Sequence, residues 1–288
     1  MIKLALTASI LLLVFALGMR ASLADATSLL RESFRRPNKL LRALVAMFVL
    51  VPLVAVLAAK LLDLSLPIRT AIVAMAIAPI PPILPGKQLK FGGESNYVFG
   101  LLVAVSLVSI LAVPLSVQVM SAVFHREVAF GVADVARLIG VTILAPLLAG
   151  LAVRSLAPNA ANRLGPWAAH IGTGLLVLAL IPVLISAWPA VMGLIGDGAA
   201  VVIGLVVVSA IAFGHLLGGP DPDERSALAF ASAMRHPGIA VAIATLGVPE
   251  EPRVQAAILL YLLIAIVATS IYGVLRKRRT AAAGRLVR

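Results

Sequence analysis

The stretch Ser232–Ala244, SAMRHPGIAVAIA, decides how this chain is read. Apolar sequence flanks it for most of a membrane thickness. Yet Met234, Arg235 and His236 lead directly into Pro237 and Gly238. Proline removes a backbone donor and clashes with the preceding turn, so a helix breaks here. In hydrocarbon the freed amides and carbonyls need partners, so such a backbone faces protein or a water-filled cavity. Arg235 lies ten residues after Arg225, ~15 Å from the nearer end at the helical rise of 1.5 Å per residue. A charge at that depth costs at least ~2.5–3.5 kcal/mol. It is therefore paired, hydrated or coordinating something. The plainest role for Arg235 is a clasp on the carbonyls that Pro237 frees.

A second segment is broken in the same way. AIVAMAIAPIPPILPGKQLKFGG, residues 71–93, carries Pro79, Pro81, Pro82 and Pro85, followed by Gly86 and Lys87. Four prolines in seven residues do not fit a regular helix. Lys87 reads plainly as an inner-surface residue beside Lys90.

The rest of the chain supplies the setting. Of 288 residues, 61% are hydrophobic and 12% charged, with a mean hydropathy of +1.09. Apolar runs long enough for a ~30 Å hydrocarbon core recur throughout. The expected fold is an all-α polytopic membrane protein, one transmembrane domain over 1–288. Nine spans are expected: 2–19, 40–62, 68–90, 96–124, 133–155, 165–188, 197–218, 225–247 and 254–275. The first also has the look of a signal peptide.

With the N-terminus outside, sixteen Lys and Arg fall inside and six outside, Lys87 and Arg235 being set apart. The positive-inside rule then places the C-terminus in the cytoplasm. It also accounts for the net charge of +12 without nucleic acid. There is no cysteine, which excludes thiolate chemistry and disulfides.

The spans also pair. Span one matches six, two matches seven, three matches eight and four matches nine. The offset is odd, so paired spans run in opposite directions. The halves are approximately 1–124 and 165–276, with 133–155 linking them. The two proline-broken segments correspond, which is the sequence pointer to a midplane site in inverted-repeat transporters. His170 and His215 lack metal spacing, and no metal site or cofactor is expected. No nucleophile–base set or phosphate loop appears, so no enzyme is expected.

On these breaks the chain resembles the bile acid:sodium symporter family over nearly its whole length. The resemblance is carried by LPGK with GGESNYVFGLLVAVSLVSILAVPL, and by ERSALAFASAMRHPGIAVAIA. It implies a panel domain and a core domain, with two broken helices crossing at the substrate site. It also implies transport of a small or amphipathic organic anion, in a bacterial inner (plasma) membrane. The family's second-half signature runs Glu, any, Gly, Met, Gln, Asn, a small residue and Gly. Here the frame reads Ala231, Ser232, Ala233, Met234, Arg235, His236, Pro237 and Gly238.

The departures fall on the family's two sodium sites. By ungapped placement the first becomes Gly86-Lys87 after Pro85, with Gly100, Ala104 and Ala231. The second becomes Ala231, Arg235 and Met47. Lys and Arg offer only donors and positive charge. The expectation is that Arg235 and Lys87 replace the two sodium ions and that sodium dependence is lost. Uniport, exchange or proton coupling then remain, with Lys87 and His236 the titratable candidates. Two alternatives stay open: ordinary sodium-coupled symport, and a non-transporting receptor or structural protein.

Overall fold

The computed structural model describes residues 2–33, 38–125, 131–196, 198–249, 251 and 253–286. Of the basic residues counted above, Arg35, Arg36, Arg126 and Arg288 lie outside them. The described residues are helical, with no strand among them. In chain order they form α1 (Ile2–Arg20), α2 (Leu23–Ser33), α3 (Asn38–Val45) and α4 (Val51–Leu61), the last two joined by a π turn at Ala46–Leu50. Next come α5 (Leu66–Ile77), α6 (Leu84–Lys90) and α7 (Ser95–Phe124). Then α8 (Val132–Ile139) and α9 (Ala145–Leu156) are joined by a π turn at Gly140–Leu144. The chain ends with α10 (Pro158–Gly196), α11 (Ala199–Leu217), α12 (Pro222–Ala233), α13 (Pro237–Gly247) and α14 (Arg253–Leu286).

Seven helical stretches among the described residues are long and apolar enough to cross a membrane: Asn38–Leu61, α7, Val132–Leu156, α10, α11, Pro222–Gly247 and most of α14. An eighth is added if α1 and α2, bent by 84°, count as one span. The nine expected spans differ from this in two places. The span at 68–90 is two pieces, a 12-residue α5 and a seven-residue α6, because Pro79, Pro81 and Pro82 sit between them. The span at 2–19 is followed by α2, which lies between the expected spans 2–19 and 40–62.

Ser22 starts α2. The Asp25 carboxylate accepts its amide at 3.0 Å and its hydroxyl at 2.7 Å, and the Asp25 amide donates back to Ser22 Oγ at 3.0 Å. This reciprocal cap fixes the turn away from α1. α2 then packs on the start of α7, where Ser28 Oγ donates to the Asn96 carbonyl.

α1 packs along α9 and α10, while α5, α7 and α11 to α14 pack among themselves with the Asn38–Leu61 helix. Small residues set these contacts, as expected where lipid removes the hydrophobic drive. A Cβ at Gly214 of α11 would fall 2.5 Å from Ala229 Cα and from the Leu228 carbonyl of α12. Gly214→Ala should therefore lower stability by about 2 kcal/mol, the overpacking range. Thermal unfolding in detergent reads this as a fall of about 4–8 °C.

Candidate functional site

The two breaks meet, and the local chemistry explains why each opens where it does. A residue before proline is pushed out of the helical region. Ala78, before Pro79, has φ −68° and ψ 151°. His236, before Pro237, has φ −75° and ψ 102°, and Met234 is extended as well. Each break thus leaves backbone groups without helical partners in a buried place, where each needs one.

The pairing runs across the two breaks. The His236 amide donates to the Pro79 carbonyl at 2.8 Å. Arg235 is fully buried, with 0% exposure. Its Nη1 donates to the Ala78 carbonyl at 3.0 Å, its Nε to the Ser232 carbonyl at 2.9 Å, and its Nη2 to the Met47 carbonyl at 2.6 Å. One guanidinium therefore holds α5, α12 and the Asn38–Leu61 helix together. Among the described residues no ion pair includes it.

The Met47 carbonyl is free for a reason written in the sequence. An α turn would aim the Val51 amide at it, and a π turn the amide of residue 52. Val51 instead bonds the Ala46 carbonyl, closing the π turn, and residue 52 is proline. Pro52 has no N–H to give. Arg235 takes the acceptor that Pro52 leaves open. Met47 does belong at this site, through its backbone; its side chain is simply buried.

His236 caps α13. Its Nδ1 accepts the Ile239 amide at 3.4 Å, while Nε2 has no partner among the described residues. Gly238 leaves room for that ring: a Cβ there would lie 3.1 Å from His236 Cε1. Pro237 opens α13, where a missing N–H costs nothing. Ala231, one turn before Arg235, is fully buried and places no polar group there.

Lys87 has a different set of partners. It is on α6, where Pro85 occupies the first turn and Gly86 is exposed. Its Nζ donates to Thr269 Oγ1 at 2.7 Å, Ser270 Oγ at 3.1 Å and the Ile266 carbonyl at 3.2 Å, all on α14. The ammonium also lies 5.7 Å from the centre of the Phe230 ring. Lys87 and Arg235 share no hydrogen-bond partner. The neighbouring Gln88 is buried and donates to the Ala227 carbonyl at 2.7 Å. Each cation is thus met by three uncharged oxygens.

Along α5, ahead of its break, lies a cavity of about 260 Å³. Arg69, Thr70 and Ile77 of α5, Met120 and Phe124 of α7 and Ile243 of α13 are in its wall. It is mostly apolar, with Arg69 its fixed charge. Arg69 is one of the six Lys and Arg that the positive-inside count places outside.

Residues 7–193, more than half of the chain, match the family profile described as the Sodium Bile acid symporter family. The chain belongs to this family. The sodium bile acid symporter family is one of transporters, which accords with many apolar helices and with a small-molecule cargo. The matched stretch contains Met47, the α5 break and Lys87, and it ends before Arg235. No curated protein matches the chain.

Proposed function

We propose that this protein is a sodium-independent secondary transporter of a small organic anion, in which tethered cations stand where relatives bind sodium. One observation carries the reading. Arg235 is fully buried among the carbonyls of Met47, Ala78 and Ser232, with no carboxylate paired to it among the described residues. Carbonyl oxygens are among the ligands an alkali cation would otherwise use, and here a guanidinium takes them. A sodium ion added beside the guanidinium would be repelled, by ~4 kcal/mol at 4 Å and an effective dielectric of ~20.

Lys87 supports the same reading by its own set of oxygens, one carbonyl and two hydroxyls on α14. It shares no hydrogen-bond partner with Arg235. The nine-span inverted repeat, the crossing of α5–α6 with α12–α13 and the N-out, C-in orientation complete this picture. Contacts within each end are consistent with that sidedness. Lys39, inner by the count of basic residues, bridges Glu224 at 2.8 Å and Glu32 at 3.0 Å. Lys60, outer by the same count, lies 5.6 Å from the centre of the Phe124 ring.

The cavity beside the α5 break suits the cargo. Its volume lies near the lower edge of ligand pockets, about 300 Å³. Arg69 and Thr70 offer donors for a carboxylate or sulfate, and Ile77, Met120 and Ile243 offer apolar wall. A small anion fits better than a large amphipathic one.

A thermal-shift screen of organic acids on the purified protein identifies the probe, because a bound ligand raises apparent stability. Uptake of that acid into proteoliposomes should be the same with external sodium as with choline. Arg69→Gln should weaken its binding about tenfold, the loss of one charge-assisted hydrogen bond. A strong sodium requirement for uptake would return the protein to ordinary symport.

A further inference from the structure

A second cavity, of about 480 Å³, lies where the ends of α1 and α9 meet the first turns of α10. Its polar wall is Arg20, Arg154, Asn162 and His170. None of its lining residues is acidic. Helix packing builds this corner. Gly18 and Gly150 bring the α1 and α9 backbones into contact, and a Cβ on Gly150 would lie 2.8 Å from Gly18 Cα. Arg20 follows that contact by two residues and Arg154 by four, so both emerge at one end. α10 returns alongside α1, with Met19 beside Gly165 and Leu13 beside Gly172.

The charges there are uncompensated. Arg154 Nη1 donates to Asn162 Oδ1, a neutral partner. Arg20 is in no ion pair among the described residues. The nearest acid in sequence, Asp25, is turned onto Ser22. The pocket also has an apolar continuation. α10 carries Trp167, Ile171, Leu178 and Ile185 at helical spacing, each at least 53% exposed. Tryptophan beside fixed cations is typical of the membrane–water boundary.

We propose that this pocket holds the phosphate of an anionic phospholipid, with its acyl chains along the exposed face of α10. Two guanidinium groups grip a phosphate through paired N–H donors, and basic pockets between membrane helices take such headgroups. A free phosphate ion would use the same donors and have no use for the apolar stripe.

The full-length protein in nanodiscs tests this. Phosphatidylcholine discs with added phosphatidylglycerol should raise the thermal midpoint over phosphatidylcholine alone. The rise should vanish in the double variant Arg20→Gln, Arg154→Gln. It should persist in Arg163→Gln, an exposed arginine outside the pocket, and shrink without vanishing in Arg20→Lys, Arg154→Lys, which keeps the charge and loses the paired donors. An equal rise in the glutamine double variant and the wild type would overturn the site. A rise with inorganic phosphate in phosphatidylcholine discs, and none with phosphatidylglycerol, would overturn the lipid assignment.

Discussion

Arg235→Met should lower the thermal midpoint of the purified protein by about 6–12 °C. The substitution keeps much of the volume and removes every donor. It leaves the carbonyls of Met47, Ala78 and Ser232 unpartnered in a fully buried place. An orphaned buried acceptor costs about 1–3 kcal/mol. Three of them outweigh the ~2.5–3.5 kcal/mol recovered by no longer burying a charge. A net loss of about 3 kcal/mol remains, and each kcal/mol moves the midpoint of a chain near this size by about 2–4 °C.

Arg235→Lys should recover little of this. The three carbonyls lie on separate elements and a fork of donors spans them, whereas an ammonium is a point. Lys90→Met, on the exposed end of α6, should stay within about 0.5 kcal/mol of wild type. An Arg235→Met protein as stable as the Lys90→Met control would refute the clasp.

The sequence stated the need for such a clasp and left its partners unstated. Pro79 and Pro237 announce broken backbone, and a deep Arg235 announces a charge that needs oxygen. Both readings rest on local covalent geometry and on the insulation of hydrocarbon, so both are legible in one dimension. Which carbonyls Arg235 takes depends on how three helices pack.

Met47 shows the difference. By family placement it is a lost side-chain ligand, yet its backbone oxygen is the closest partner Arg235 has. The signal was present in Pro52, five residues on, which robs that carbonyl of a donor. Lys87 was harder. Its partners Thr269 and Ser270 lie about 180 residues away on α14, and nothing local to LPGK points there. α2 was missed because its composition is that of a connection. Its helix is held by the Ser22–Asp25 cap and by packing on α7.

The double variant Ala231→Glu, Arg235→Gln should acquire a sodium-dependent thermal shift that the wild type lacks. Both positions are fully buried at the second break, and the family frame has its shared acid at one and its glutamine at the other. Removing the guanidinium withdraws the resident positive charge and frees the three carbonyls. The new glutamate adds the negative end that neutral oxygens alone do not provide, and the glutamine adds one more acceptor.

Sodium at a hundredfold excess over its dissociation constant would then stabilise the variant by about 2.7 kcal/mol, or about 5–11 °C at the slope used above. In potassium of equal ionic strength the variant should be the less stable protein, because a buried carboxylate without a cation is costly. On the proposed tethered-cation reading, the wild type should unfold at the same temperature in both salts. A wild type that responds to sodium as strongly as the double variant would show that Arg235 leaves room for the ion. The tethered-cation reading would then fail, while the arginine clasp itself would stand on the stability of Arg235→Met.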